Sequence, residues 1–266
     1  MKIIRFTAPA DKGLGSDPLF GILENDDSIK ILKGDPIYAG VNPVTNLEVN
    51  LKLADVRLLA PVIPRSKVVC IGKNYADHAA EMDSQVPTSP IIFIKPNTSV
   101  IGPNDVINWP MMSKRIDHEA ELAIVIGRIC KSVPAEKIND VIFGYTIAND
   151  VTARDLQKID GQWTRAKGFD GFCPLGPWID TEFKPASQRI LARVNGEVKQ
   201  SDELSNMVFK IPQIIEFVTE AMTLLPGDVI LTGTPAGISA MPENASVEIE
   251  IEGLGVLKNK LSNQPK

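Results

Sequence analysis

The residues of this chain best suited to chemistry are carboxylates in awkward places. The stretch DHEAELAIVIG, Asp117 to Gly127, has the composition of a buried β-strand, yet Glu119 and Glu121 stand near its start, one residue apart. Side chains alternate along a strand, so the two carboxylates share a face, about 7 Å apart. Like charges there repel, and a cation, a set of basic groups or open water must relieve them. A third carboxylate, Asp150, ends the apolar run VIFGYTIAND where the pattern turns helical. An aspartate at such a junction is commonly the helix N-cap. Thr152 and Asp155, however, match the Thr-x-x-Asp capping box, which frees Asp150 for another role. Two carboxylates on a strand and one at a strand-to-helix corner suit a hard divalent cation, Mg2+ or Mn2+, with positions left for water or substrate. An acidic strand end facing solvent is the competing reading. Asp117 shares the parity of the glutamates and competes as a ligand, whereas His118 faces the other way.

A histidine beside a glutamate offers a second chemistry. In KVVCIGKNYADHAAEM, His78 and Glu81 are three apart on a short helical segment and meet on one face. A carboxylate orients an imidazole and raises its basicity, as a general base requires; a solvated surface turn has the same spacing. The polar, proline-broken DSQVPTSP that follows fits either a flap closing on substrate or an ordinary loop. Lys167, in QWTRAKGFDGFCPLGPW, lies in what reads as a long irregular binding segment, although most loop lysines are simply solvated. In LTGTPAGIS, Gly233, Thr234 and Gly237 follow an apolar strand, where glycine lets backbone amides approach an anion; the same residues also make plain turns.

The scaffold that positions these groups is rich in strands. KIIRF, PLFGILE and SIKILKG predict a small N-terminal β domain over residues 1–60, with a boundary near Pro61 to Pro64 and a larger domain over 61–266. KVVCIG, PIIFIKP, AELAIVIG, VIFGYTIAN, RILARVNGEVKQ, DVILTG and SVEIEIEG predict further strands, and Asn195-Gly196 predicts a tight hairpin. The clearest helix is IPQIIEFVTEAM, where Ile211, Ile214, Ile215, Val218 and Met222 keep helical spacing behind Pro212 in the first turn. Many strands with few helices predict a β-rich α+β sandwich or roll, not an alternating βαβ sheet.

Composition narrows the function. With 266 residues, 44% of them hydrophobic, the chain can bury a sizeable core. Its net charge of -5 comes without a basic block, which argues against nucleic acid. No run is long and apolar enough for a membrane span and no signal-peptide core is evident, so a soluble cytoplasmic protein is expected. Three separated cysteines, Cys70, Cys130 and Cys173, support neither a disulfide framework nor a zinc site. Nucleophile-elbow, P-loop and GxGxxG motifs are missing.

Taken in order, IGKNYADHAAE, FIKPNTSVIGP, DHEAELAIVIG, FGYTIANDVTARDLQ, DGQWTRAKGFDGFCPLGPW and LLPGDVILTGTPAGIS resemble the fumarylacetoacetate hydrolase family. The branch in question holds acylpyruvate hydrolases, oxaloacetate decarboxylases and 2-hydroxyhepta-2,4-diene-1,7-dioate isomerases, and the resemblance covers roughly residues 55 to 260. It implies a mixed β-sandwich roll, a homodimer, and one divalent ion at Glu119, Glu121 and Asp150. It also implies a His78–Glu81 dyad on a lid, Lys167 in the active site, and substrate contacts from Arg154, Gln157 and Thr234.

The chemistry so implied acts on small 2-oxo or enol carboxylic acids through a metal-stabilised enolate, with Lys167 adding positive charge. C–C cleavage is expected ahead of isomerisation, and acylpyruvate hydrolysis slightly ahead of oxaloacetate decarboxylation, because His78 with Glu81 suits activation of water. The alternatives are a dienedioate isomerase or tautomerase, and a non-catalytic protein that keeps the metal as a structural staple.

Overall fold

The computed structural model describes residues 1–45 and 49–265. Two sheets organise them. The larger has eleven strands, nine of them in the order Ile29–Ile31, Leu19–Leu23, Lys2–Thr7, Cys173–Asp180, Ile142–Asn149, Ala120–Ile126, Val229–Leu231, Val68–Gly72 and Ile91–Lys95. Arg57–Leu59 joins beside Lys2–Thr7, and Val100–Ile101 beside Cys173–Asp180. Pairing is mixed: Val229–Leu231 runs parallel to Val68–Gly72 but antiparallel to Ala120–Ile126. The smaller sheet orders Glu197–Glu203, Arg189–Val194, Ser246–Ile251, Gly255–Leu261 and Val106–Ile107. This is the expected β-rich α+β architecture, a mixed β-sandwich roll.

Alternation along one strand explains where the site lies. Every residue of Ala120–Ile126 is buried, so both its faces are covered. Leu122, Ile124 and Ile126 point into the main core, together with Ile190, Ala192, Val247, Ile249 and Leu257 of the smaller sheet. Each such fully buried aliphatic side chain contributes about 2 kcal/mol of transfer free energy. Ala123 and Val125 point the other way, into a cluster with Val68, Cys70, Cys173 and Leu175. Glu121 has their parity and is therefore directed away from the inter-sheet core.

The N-terminal strands extend the large sheet, with Lys2 opposite Asp180 and Ile3 opposite Ile179. They also carry a cluster of their own around Ile4, Phe6, Leu23, Ile29, Ile31 and Leu51. The Asn195-Gly196 hairpin forms as predicted, both residues at positive φ (51° and 83°) as a two-residue type I′ turn needs. The helix Ile211–Ala221 also forms, burying Ile211, Ile214, Ile215 and Val218. Its start is closed by Gln213, whose side chain accepts from Lys210 N at 2.9 Å.

Two expectations are corrected. The segment around Lys167 is not a long irregular loop: it holds a short helix, Thr164–Lys167, and the central strand Cys173–Asp180. Proline and glycine disguised that strand, and Gly176 is needed because a Cβ there would stand 2.7 Å from the Pro103 ring. The Thr152–Asp155 capping box does not form either. The helix starts at Arg154, with Ala153 at the cap position and no side-chain cap. Thr152 lies in a two-residue strand paired with Ile116–Asp117, and Asp155 accepts instead from Ser113 Oγ (2.6 Å) and Lys114 N (2.8 Å).

Candidate active site

Antiparallel pairing brings the three carboxylates together. Ala120 lies opposite Asn149, so the residues just beyond, Glu119 and Asp150, are neighbours across the pair. Asp150 N donates to Glu119 O at 2.9 Å, and Glu119 N donates to Asn149 Oδ1 at 3.0 Å. Each of Glu119, Glu121 and Asp150 offers an oxygen within 4.8 Å of the others'. They are only 4%, 2% and 1% exposed, which excludes the solvated-strand-end reading. Asp117, the competing ligand by parity, is occupied elsewhere. Its carboxylate accepts from Arg115 Nε at 2.9 Å and from Arg154 Nε at 2.9 Å.

Buried cations partly balance the acids. Lys167 Nζ donates to Asp150 Oδ2 (2.6 Å), Glu119 Oε2 (2.8 Å) and Thr152 Oγ1 (2.9 Å). Lys95 Nζ donates to the other Asp150 oxygen at 2.5 Å, and Arg154 joins Glu119 Oε1 (2.5 Å) to Gln157 Oε1 (2.5 Å). Burial alone would raise the Glu119 carboxyl, but Lys167 and Arg154 overcome it and hold the group well below the carboxylate range. The Lys167 ammonium is desolvated too, yet Asp150 and Glu119 keep it charged by raising its pKa. Glu121 differs. Burial comes first, then the charges of Asp150 and Glu119, and together they push its carboxyl far above its usual value. Its support is the Gly233 N–H, at 2.6 Å from Oε2. Gly233 has a φ of +97°, and a Cβ there would stand 2.6 Å from Asn74 Cβ, so glycine is what lets this amide reach the carboxylate.

This donor set fits a divalent cation. Three carboxylates are hard oxygen donors, and Glu121 carries like-charge repulsion that no side-chain cation among the described residues contacts directly. The adjoining cavity, about 180 Å³, is lined by all three and by His78, Arg154, Gln157, Lys167 and Thr234. Of the expected metal ligands, dyad members, active-site lysine and substrate contacts, Glu81 alone is not on that wall. It stands behind His78, with Oε2 3.3 Å from Nδ1, on the helix Ala76–Glu81. Gly237 N donates to the same carboxylate at 3.1 Å, so one loop, 233–237, touches Glu121, Glu81 and the cavity.

His118 faces away from the carboxylates as predicted, between Gln200 Oε1 (3.1 Å) and Ser239 Oγ (3.0 Å), and burial pushes its pKa down. Several further residues belong to the site. Lys95, the last residue of the apolar strand Ile91–Lys95, is completely buried and supports Asp150 from behind the cavity wall. Lys73, at positive φ (57°), and Lys158 also line the cavity, and among the described residues neither pairs with a carboxylate. Phe93 and Trp163 form the apolar side, their rings meeting edge to face at 5.1 Å, with Lys167 Nζ 5.1 Å from the Phe93 ring.

A mixed β-sandwich roll with a buried acidic triad beside a His–Glu pair defines a class, and sequence comparison agrees: the chain belongs to the fumarylacetoacetate hydrolase family. The Fumarylacetoacetate (FAA) hydrolase C-terminal profile matches residues 67–262, and an Rv2993c-like N-terminal profile matches residues 1–61. The chain is 56% identical over 217 residues to Protein Rv2993c of Mycobacterium tuberculosis, covering 80% of this chain and 82% of that one. It is 44% identical over 219 residues to the mitochondrial oxaloacetate tautomerase Fahd2a of Rattus norvegicus, covering 78% of this chain and 71% of the other. The crystal structure of 2-hydroxyhepta-2,4-diene-1,7-dioate isomerase from Mycobacterium marinum superposes with a TM-score of 0.87 at 44% identity, covering 100% of both chains. Among the described residues, no helix is long and apolar enough to cross a membrane.

Proposed function

We propose that this protein is a divalent-cation-dependent enzyme that moves a proton on small 2-oxo or enol dicarboxylic acids, by keto–enol tautomerisation or double-bond isomerisation. The observation that carries this reading is one cavity with His78 on its wall beside the buried carboxylates Glu119, Glu121 and Asp150. Those three would hold Mg2+ or Mn2+. When bound, such an ion supplies a Lewis acid for the carboxylate and keto oxygens of a 2-oxo acid.

The chain's own groups do the rest. Glu81 accepts from His78 Nδ1–H, which leaves Nε2 with the lone pair that takes a proton from the carbon next to the keto group. The electron pair of that C–H bond becomes the carbon–carbon double bond, and the carbonyl π pair moves onto the keto oxygen as the enolate forms. Returning the proton to oxygen gives the enol, and returning it to a distal conjugated carbon gives the isomer. Neither outcome consumes water. Lys167 and Arg154 hold positive charge at the buried end of the cavity, where a developing oxyanion is stabilised most in a water-poor site. Lys73 and Lys158, unpaired with any carboxylate among the described residues, fit a second carboxylate on the substrate. The similarity to an oxaloacetate tautomerase and a dienedioate isomerase favours proton transfer as the outcome.

C–C cleavage, expected from the sequence and its family resemblance, stands as the second reading. Glu81 is 32% exposed at its side chain, so the dyad borders solvent from which a water nucleophile could come. Following enol loss, products and CO2 from oxaloacetate, acetylpyruvate and the dienedioate separates the two readings. Acceleration of keto–enol exchange with Mg2+, lost with EDTA and without pyruvate or CO2 release, is the expected result. Pyruvate formation at a comparable rate would move the assignment to cleavage, and chelator-insensitive turnover would overturn the metal role.

A further inference from the structure

Gln200, on the strand Glu197–Glu203, is completely buried, and its carboxamide meets four groups. Two of these have only one polarity. Ala120 N–H can only donate, so the amide atom 3.0 Å away is the oxygen Oε1. The Pro235 carbonyl can only accept, so the atom 2.7 Å from it is Nε2. Main-chain groups therefore fix which way the amide points. The polarity of the remaining contacts follows. His118 Nδ1, 3.1 Å from Oε1, carries the ring hydrogen, and its Nε2 accepts from Ser239 Oγ at 3.0 Å. The second hydrogen on Gln200 Nε2 goes to Thr234 Oγ1 at 2.8 Å, so this hydroxyl accepts.

A threonine hydroxyl has one hydrogen to give. Thr234 is 2% exposed and lines the cavity, and among the described residues its hydroxyl hydrogen has no protein acceptor. A buried donor left unmade costs free energy that a ligand oxygen recovers. We propose that Gln200 is a positioning residue that commits the Thr234 hydroxyl to donate into the cavity, toward an oxygen of the anionic 2-oxo acid. With an acceptor in place of the amide nitrogen, the hydroxyl turns its hydrogen onto that acceptor and presents only lone pairs to an anion. The inference deepens the proposed function and rests on it.

The test uses the full chain with Mg2+ and oxalate, a planar dianion resembling the carboxylate and keto end of the substrate. Binding of each is measured by calorimetry. In Gln200→Glu the atom facing Thr234 becomes an acceptor, so the hydroxyl turns toward it, and oxalate affinity should fall about tenfold. Thr234→Val should fall by a similar factor, Thr234→Ser should stay within about twofold, and the double variant Gln200→Glu/Thr234→Val should be no weaker than Thr234→Val alone. Affinity for Mg2+ without oxalate should stay within about twofold throughout, which a general structural collapse would not allow. Gln200→Met removes the donor without adding charge and serves if the carboxylate prevents folding. Wild-type oxalate affinity in Gln200→Glu and Gln200→Met would overturn the role of Gln200 alone, as would multiplied losses in the double variant. Failure of the wild type to bind oxalate with Mg2+ would overturn the proposed function and this inference with it.

Discussion

One pair of strands carries a buried carboxylate at each end, and the two ends differ in what surrounds them. Ala120–Ile126 and Val229–Leu231 pair antiparallel, with Ala123 opposite Leu231 and Val125 opposite Val229. Asp228 precedes the second strand at one end, and Glu121 lies on the first strand at the other. Asp228 accepts from Ser66 N (2.9 Å), Ser66 Oγ (2.8 Å), Lys67 N (3.2 Å), Lys67 Nζ (3.1 Å) and Leu225 N (2.9 Å). Burial works against its charge, but these donors, the Leu225 and Ser66 bonds foremost, outweigh it and hold the carboxyl below its ordinary value. Glu121 has the Gly233 amide and two neighbouring carboxylates, and is pushed the opposite way. Burial is common to both. Donor saturation distinguishes the closed end from the open end, where a cation is proposed.

The largest expected effect separates the ends by activity. Glu121→Gln should lower Mg2+-dependent turnover more than about 100-fold, the upper range for loss of a mere supporting group, while metal-free unfolding stability is unchanged or higher. Asp228→Asn should do the reverse, costing about 3 kcal/mol in urea unfolding with kcat nearly unchanged. Equal stability losses at the two ends would erase the distinction.

The open end was largely legible in sequence, and the closed end was not. Glu-x-Glu on a strand and Asp150 at a corner are local patterns, and short-range spacing also gave the His78–Glu81 contact, the Asn195-Gly196 turn and the helix over Ile211–Ala221. Four of the five donors to Asp228 come from Ser66 and Lys67, 162 and 161 residues away, and the Leu225 amide alone is local. Lys95 likewise acts across the large sheet on Asp150, and Gln200 reaches from the smaller sheet to Thr234, through contacts that no local period encodes. Thr152 shows the converse error. A capping motif correct in spelling was overridden because its hydroxyl is used by Asp150 O and Lys167 Nζ.

A smaller effect should come from the cation itself. Mg2+ at 100 times its dissociation constant should stabilise the wild type by about 2.7 kcal/mol, read as a rise in unfolding temperature. The same addition should leave Glu121→Gln nearly unmoved and act on Asp228→Asn as on the wild type. A rise of equal size in Glu121→Gln would place the ion elsewhere.

The smallest effect is a pH dependence at the closed end. With its folded pKa depressed, Asp228 contributes stability that is fully present above its unfolded value, near pH 4, and is lost as pH falls through the folded value. Asp228→Asn should therefore flatten the acid limb of unfolding free energy against pH. An acid limb identical to the wild type's would show that the donor cluster does not favour the ionised form.

The central claim is that Glu119, Glu121 and Asp150 together hold one divalent cation. Calorimetric titration of Mn2+ into the wild type, Glu119→Gln, Asp150→Asn and Asp228→Asn tests it most directly. A single site per chain is predicted in the wild type and in Asp228→Asn, with affinity reduced more than about 100-fold in the other two variants. Unaltered affinity in both Glu119→Gln and Asp150→Asn would contradict it.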